Sequence, residues 1–192
     1  MSLGDRITAM SERLAREATR AGLQAGDIER LCRVFANVAE TRAVRIGNRE
    51  HQLVLHTART VLILIEDCGA NDATLLCAAA ALDTSDRMLM PELDTLPLEP
   101  AETALIGDVC AAVAAEHPLE ELLVADPRVR LLAVSEALDH ARHLHLQPAA
   151  EWPPMYDQAC AVHLPIAQRT HDALARRFHW WCDMFRTRYL RD

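Results

Sequence analysis

Three side chains in the second half of the chain have types and a spacing that could hold a metal ion. Glu136, His140 and His143 follow one another at i, i+4 and i+7, so they share one face if the segment is helical. Asp139 lies close to that face. A carboxylate and two imidazoles suit zinc or nickel. The alternative interpretation is a solvated helix face that happens to contain histidines.

A second set of residues lies in the first half of the chain. His56 opens the helix-like run His-Thr-Ala-Arg-Thr-Val-Leu-Ile-Leu, a turn follows at 68–71, and an alanine-rich run ends in Ala-Ala-Leu-Asp at Asp83. This order resembles the HD superfamily of metal-dependent phosphohydrolases. That family carries a His on one helix, an adjacent His-Asp pair at the end of another, and a distant Asp. His56 and Asp83 stand in register with the pattern, whereas Leu82 stands where the pair has its His.

Two later segments narrow the resemblance to the RelA/SpoT-type alarmone hydrolases. Residues 129–142 read Val-Arg-Leu-Leu-Ala-Val-Ser-Glu-Ala-Leu-Asp-His-Ala-Arg. They are similar to the helix that carries the distant Asp in that family, and Glu136 occupies the Asp position. Residues 164–169, Leu-Pro-Ile-Ala-Gln-Arg, resemble the family's Pro-Leu/Ile-Ala-x-Arg motif. The blocks match the family in order and spacing across residues 50–185.

The resemblance implies a phosphohydrolase acting on a guanosine polyphosphate, (p)ppGpp, or a similar anionic nucleotide. It makes His56, Asp83 and Glu136 the ligands of a divalent metal, manganese or similar, which would polarise a phosphate and lower the pKa of a bound water. It also places a catalytic carboxylate at Asp86, the surviving member of an acidic pair. Each residue also has a structural interpretation, in which His56 is a buried, hydrogen-bonded histidine and Asp83 caps the following turn.

The chain departs from the family at most of its catalytic positions. Leu82 offers no lone pair and places apolar atoms where an ion would sit, which argues against metal binding. Arg87 stands at the second position of the acidic pair, and Ala137 replaces an arginine. Glu136 in place of Asp is a milder change, because a rotamer absorbs one methylene. We therefore expect a degenerate HD-domain protein without hydrolase activity, which serves ligand or partner binding.

Two other functions stay open at this point, and with them the question of whether the protein is an enzyme. One is a working metal-dependent phosphohydrolase with an altered metal site. The other is a helical interaction protein whose ancestral cleft is filled by apolar side chains. The adjacent Trp180 and Trp181 cannot both face one core. We expect them to combine core packing with a dimer contact, so a homodimer is one expected assembly.

The elements that position these residues are predicted to be about eight helices in a single all-α, HD-like domain over 1–192. The helices are expected at residues 5–21, 27–42, 50–67, 71–82, 101–116 and 127–144. Two more share 155–189, and Pro165 is expected to kink or separate them. Gly69 is a predicted stop signal, and 84–100 is the least regular segment. The predicted core contains Val61, Leu64, Leu75, Leu76, Ala79, Leu132 and Leu138.

Composition limits the function classes further. The net charge of -8 argues against a general nucleic-acid surface, and the hydrophobic share of 51% argues against disorder. No apolar run reaches the roughly 18 residues that span a bilayer, and the first residues lack a basic-then-apolar signal pattern. The 6 cysteines contain no Cys-x-x-Cys pair, which favours free thiols in a reducing compartment. We therefore expect a cytoplasmic protein with no nucleic-acid or membrane partner.

Overall fold

The computed structural model describes residues 2–48, 50–84 and 92–190, and within these ranges the chain is helical without any strand. Its α-helices are α1 (Leu3–Arg20), α2 (Ala25–Ile46), α3 (His56–Leu62), α4 (Ala73–Ala81), α5 (Pro100–Val113), α6 (Pro118–Val124), α7 (Pro127–His143), α8 (Trp152–Gln158), α9 (Leu164–Thr170) and α10 (Asp172–Tyr189). The predicted all-α class is confirmed. The HD-like arrangement of these helices stays a prediction.

The helix predicted over 50–67 consists of three different helical segments. A 3₁₀ turn, Gln52–Leu55, leads into α3, and a π-helical segment, Ile63–Asp67, follows it. Gly69 comes just after with a φ of 65°, a left-handed conformation that glycine adopts without steric cost. The predicted stop signal is therefore at the right place, although the periodicity did not reveal the change of helix type.

The chain forms two compact units, Met1–Cys110 and Ala111–Asp192. In the first unit α2 packs against α1 and α4, and α3 packs against α1 and α4. Helix α4 is apolar on all sides and is buried from Leu75 to its end. Its first turn is held by Asp72, whose side chain accepts hydrogen bonds from the amides of Thr74 and Leu75. The single domain predicted over 1–192 stays a prediction.

In the second unit α9 is the central element. It contacts α6, α7 and α10, and α7 also contacts α10. Aromatic rings close one end of this packing, where α8 faces α10. The ring of Trp181 lies 5.8 Å from Tyr156 and 5.0 Å from Phe185, and Trp152 lies 5.4 Å from Tyr189. These contacts fix the direction of α10 relative to α8.

Two sequence predictions fail in this unit for local reasons. The sequence does not predict helix α6, since one predicted helix ends at residue 116 and the next begins at residue 127. Pro118 instead occupies the first turn of a new helix, where its missing amide costs nothing. The last two helices are separated at His171, which is extended with φ -160° and ψ 126°, and not at Pro165. Pro165 lies in the first turn of α9, directly after the π-helical segment Ala159–His163.

The predicted core is confirmed. All seven residues expected there are at most 2% exposed: Val61, Leu64, Leu75, Leu76, Ala79, Leu132 and Leu138. Among the described residues, no helix is both long and apolar enough to cross a bilayer.

Candidate functional site

A buried ion pair joins Arg42 and Asp83 in the first unit. Arg42 lies on the apolar stripe of α2 with Leu31, Val34 and Val38, four residues after the last of these. Its Nη2 donates a hydrogen bond to Oδ2 of Asp83, the residue that follows Leu82 at the end of α4. The two side chains are 0% and 1% exposed. A guanidinium in a core position of a helix is costly unless a carboxylate balances its charge.

Arg42 has more hydrogen-bonding capacity than this one contact uses. Its Nε and Nη1 are buried and have no hydrogen-bond partner within the described part of the chain. The guanidinium therefore depends on its pairing with Asp83, and its charge lies against the carboxylate that the resemblance makes a metal ligand. Sequence reasoning missed Arg42. The available signal was an arginine at a core position of an apolar stripe.

His56 and Leu82 lie in the same unit as this ion pair. His56 is the first residue of α3 and is wholly buried, and its carbonyl accepts a hydrogen bond from the hydroxyl of Thr60 at 3.3 Å. Leu82 is 0% exposed and has an extended backbone with φ -77° and ψ 136°. Its side chain is thus part of the apolar core at the position where the family carries a histidine.

On α7, Glu136 and His140 form a second polar pair. Nε2 of His140 lies 3.0 Å from Oε1 of Glu136, whose side chain is 3% exposed. His143 is directed elsewhere. Its Nδ1 contacts the backbone carbonyl of Asp139 at 2.8 Å and the carboxylate of Asp139 at 3.6 Å. On this helix face His140 therefore pairs with Glu136 and His143 with Asp139, and a metal site shared by Glu136, His140 and His143 stays a prediction.

The residues that the sequence offers as metal ligands belong to two different units of the chain. His56 and Asp83 lie in the first unit, and Glu136 and His140 lie in the second. That His56, Asp83 and Glu136 bind one ion stays a prediction. Each unit contributes imidazole nitrogens and carboxylate oxygens, which are donors that suit zinc or manganese.

The contacts within each unit are also those expected without a metal. The 3.0 Å separation of His140 and Glu136 is that of an ordinary hydrogen bond. In the first unit, Arg42 supplies the positive charge that balances the carboxylate of Asp83.

His163 is a further polar residue near Glu136, and sequence reasoning missed it. It ends the π-helical segment before α9, and its ring stacks on Phe178 of α10 at 6.2 Å. Burial lowers its pKa below the ordinary 6.5, the charge of Glu136 raises it, and His140 lowers it. Its Nδ1 is buried without a hydrogen-bond partner among the described residues. The neutral imidazole is the favoured form. Its place directly before the Leu-Pro motif was the only available signal.

A separate polar cluster in the first unit has a structural role. Arg30 of α2 pairs with Asp27 at 3.0 Å and with Glu102 at 3.1 Å, and it also pairs with Glu99. Glu102 is fully buried, and it accepts a hydrogen bond from the amide of Glu99 at 2.7 Å. Burial raises the pKa of Glu102 and raises that of Cys77 to about 12. The cluster connects the start of α5 to α2 and contains no residue of the predicted site.

The remaining predicted site residue, Asp86, lies outside the described residues, as does Arg87. Its catalytic role stays a prediction. In comparisons with known proteins, no family model, curated protein or solved structure matches this chain. The resemblance to the HD superfamily therefore rests on the sequence blocks alone.

Proposed function

We propose that this chain is a degenerate HD-like protein that does not hydrolyse nucleotides and that serves ligand or partner binding. In this proposal the carboxylate of Asp83 is balanced by the guanidinium of Arg42 and no longer by a metal ion. The observation that carries the proposal is the buried ion pair of Arg42 and Asp83. The guanidinium supplies the positive charge that a metal ion would otherwise bring to this carboxylate.

The size of the electrostatic effect supports the proposal. An ion bound to one oxygen of Asp83, while the other oxygen accepts from Arg42, would lie about 5 Å from the guanidinium charge. At an effective dielectric constant of about 20, a divalent ion at that distance is repelled by about 7 kcal/mol. The repulsion alone corresponds to a loss of about five powers of ten in affinity. A divalent ion could then bind Asp83 only if Arg42 broke its ion pair, which would leave the buried guanidinium without a balancing charge.

The loss of a ligand at Leu82 adds to this cost. In the resemblance, the absent imidazole is one of four ligands, and leucine contributes no donor atom at its position. A metal in this family activates the attacking water and clamps the phosphate. Without the ion the protein retains neither, so we expect the hydrolytic deficit to be several powers of ten.

The catalytic part of the proposal is tested with guanosine tetraphosphate and Mn²⁺ at millimolar concentration. We expect no phosphate or pyrophosphate release above a control without protein. A matched Asp83→Asn variant should give the same background. Metal-dependent turnover by the wild type that Asp83→Asn removes would overturn the proposal.

The binding part is tested separately, with guanosine tetraphosphate in EDTA. A ligand at about 100 times its Kd stabilises the folded state by about 2.7 kcal/mol, which a thermal melt detects. A rise in Tm supports an anionic nucleotide as ligand. An unchanged Tm leaves partner binding as the proposed role.

The second candidate function is a metal-dependent phosphohydrolase with an altered site. The observation that favours it is the contact on α7 between Nε2 of His140 and Oε1 of Glu136, which lie 3.0 Å apart. In this candidate His140 supplies a metal ligand in place of the one lost at Leu82. This candidate predicts that His140→Ala abolishes both metal binding and turnover. His143→Ala, one turn further along α7, is the matched control and should leave both unchanged.

A further inference from the structure

Two thiols of the second unit lie in direct contact. Sγ of Cys160, in the π-helical segment Ala159–His163, is 2.9 Å from Sγ of Cys182 in α10. Both are free thiols. A disulfide needs its sulfur atoms about 2.05 Å apart, so they must approach by about 0.9 Å.

The neighbouring contacts hold the two segments in register around this pair. One turn before Cys160, the ring of Tyr156 lies 5.8 Å from Trp181. One turn after it, His163 stacks on Phe178 at 6.2 Å. The later residue of one segment thus contacts the earlier residue of the other, so the segments run antiparallel with the two thiols beside ring contacts. Close approach of the sulfur atoms is therefore a property of the packing.

We propose that Cys160 and Cys182 are a modification site, at which a low-molecular-weight disulfide such as oxidised glutathione closes a reversible intramolecular disulfide. The Cys160 thiolate attacks one sulfur of oxidised glutathione, forms a mixed disulfide and releases one glutathione thiolate. The Cys182 thiolate then attacks the Cys160 sulfur and releases the second glutathione. Two protein thiols are oxidised, one glutathione disulfide is reduced to two thiols, and the two protons pass to the released thiolates or to solvent.

Accessibility sets the order of the two steps. Cys160 is half-buried, whereas Cys182 is 5% exposed, so the reagent reaches Cys160 first. Burial, followed by the hydrogen bond and charge of Cys160, raises the pKa of Cys182 to about 12. Both contributions from Cys160 disappear once its sulfur is in a mixed disulfide. The first step thus makes the second thiol easier to ionise.

The bond would fasten the segment that carries His163 to α10. It would close a loop from 160 to 182 and so restrict the unfolded chain. We expect the oxidised protein to melt roughly 5–10 °C above the reduced protein. Since this segment precedes α9 and holds His163 close to Glu136, oxidation would also limit movement beside the polar pair on α7.

The test is incubation of the fully reduced chain with oxidised glutathione, acid quenching, alkylation of the remaining thiols and peptide mapping by mass spectrometry. The expected product lacks two hydrogen atoms and contains a peptide that links Cys160 to Cys182. Cys182→Ser should stop at one glutathione adduct on Cys160. Cys32→Ser is the matched control, because Cys32 is also half-buried and donates to the carbonyl of Ser11, and it should form the same link as the wild type.

Three results would overturn the proposal. The first is a wild-type protein that keeps its glutathione adduct without forming the link. The second is a link that joins other cysteines. The third is a Cys160→Ser variant that still loses two hydrogen atoms. The melting temperature gives a second readout for folded variants: oxidation should raise the Tm of the wild type and of Cys32→Ser but not that of Cys182→Ser.

Discussion

Replacing Arg42 by methionine removes one half of the buried ion pair and leaves Asp83 without its balancing charge. The side chains are 0% and 1% exposed, so water does not compensate the carboxylate. Breaking such a pair costs about 3–5 kcal/mol, which lowers Tm by roughly 6–20 °C for a chain of this size. The matched control is Arg33→Met on the exposed side of α2, where we expect a change below about 0.5 kcal/mol.

The assay is urea denaturation of Arg42→Met, Asp83→Asn and the double variant, analysed as a double-mutant cycle. Because the neutral amide of Asp83→Asn no longer needs a cationic partner, the double variant should be more stable than the sum of the two single losses predicts, by at least about 1.5 kcal/mol. Mn²⁺ should stabilise Arg42→Met more than the wild type, since the ion would replace the lost charge. Losses that simply add, together with a cost below about 1 kcal/mol for Arg42→Met, would refute the charge-compensation argument.

Individual positions elsewhere in the chain give four more expected outcomes. Leu82→His alone should leave hydrolysis of guanosine tetraphosphate at background, because other family positions stay changed; turnover in a phosphate-release assay would contradict this. Burial raises the pKa of Glu102 above its ordinary 4.5, so this carboxyl binds more protons in the folded state than in the unfolded state. Its contribution to stability is therefore present at low pH and falls as the pH rises from 4.5 through the raised pKa. The unfolding free energy of the wild type relative to Glu102→Gln should therefore decrease from about pH 4.5 upward in urea titrations. Asp72→Ala removes the cap of α4 and should cost about 1 kcal/mol in guanidinium denaturation. Trp181→Ala should cost about 3–5 kcal/mol, whereas Trp180→Ala, at 66% exposure, should change stability by less than about 0.5 kcal/mol.

The sequence predicted those features that depend on local patterns. Helical spacing located most of the helices and all seven of the named core residues. The adjacent tryptophans were predicted not to face one core together, and Trp181 is indeed 1% exposed whereas Trp180 is 66% exposed. Where a local signal has two meanings, the prediction failed. Pro118 both ends one helix and begins the next, and the sequence alone does not distinguish these roles.

The candidate site was less predictable, because it depends on contacts between distant positions. His140 and His143 share a predicted helix face, yet one pairs with Glu136 and the other with the backbone of Asp139. Rotamers and neighbouring elements decide between these partners. Arg42 and Asp83 are 41 positions apart, and no spacing rule connects them. A charged residue in an apolar stripe indicates that a partner exists, but not which one.

The most direct test of charge compensation is the metal content of the protein. The chain is purified without a metal-affinity column, dialysed against equimolar Mn²⁺, Fe²⁺ and Zn²⁺ in turn, and analysed by elemental mass spectrometry. We predict far less than one ion per chain for the wild type, and a clear increase for Arg42→Met. Close to one ion per wild-type chain, lost in Asp83→Asn, would contradict the account.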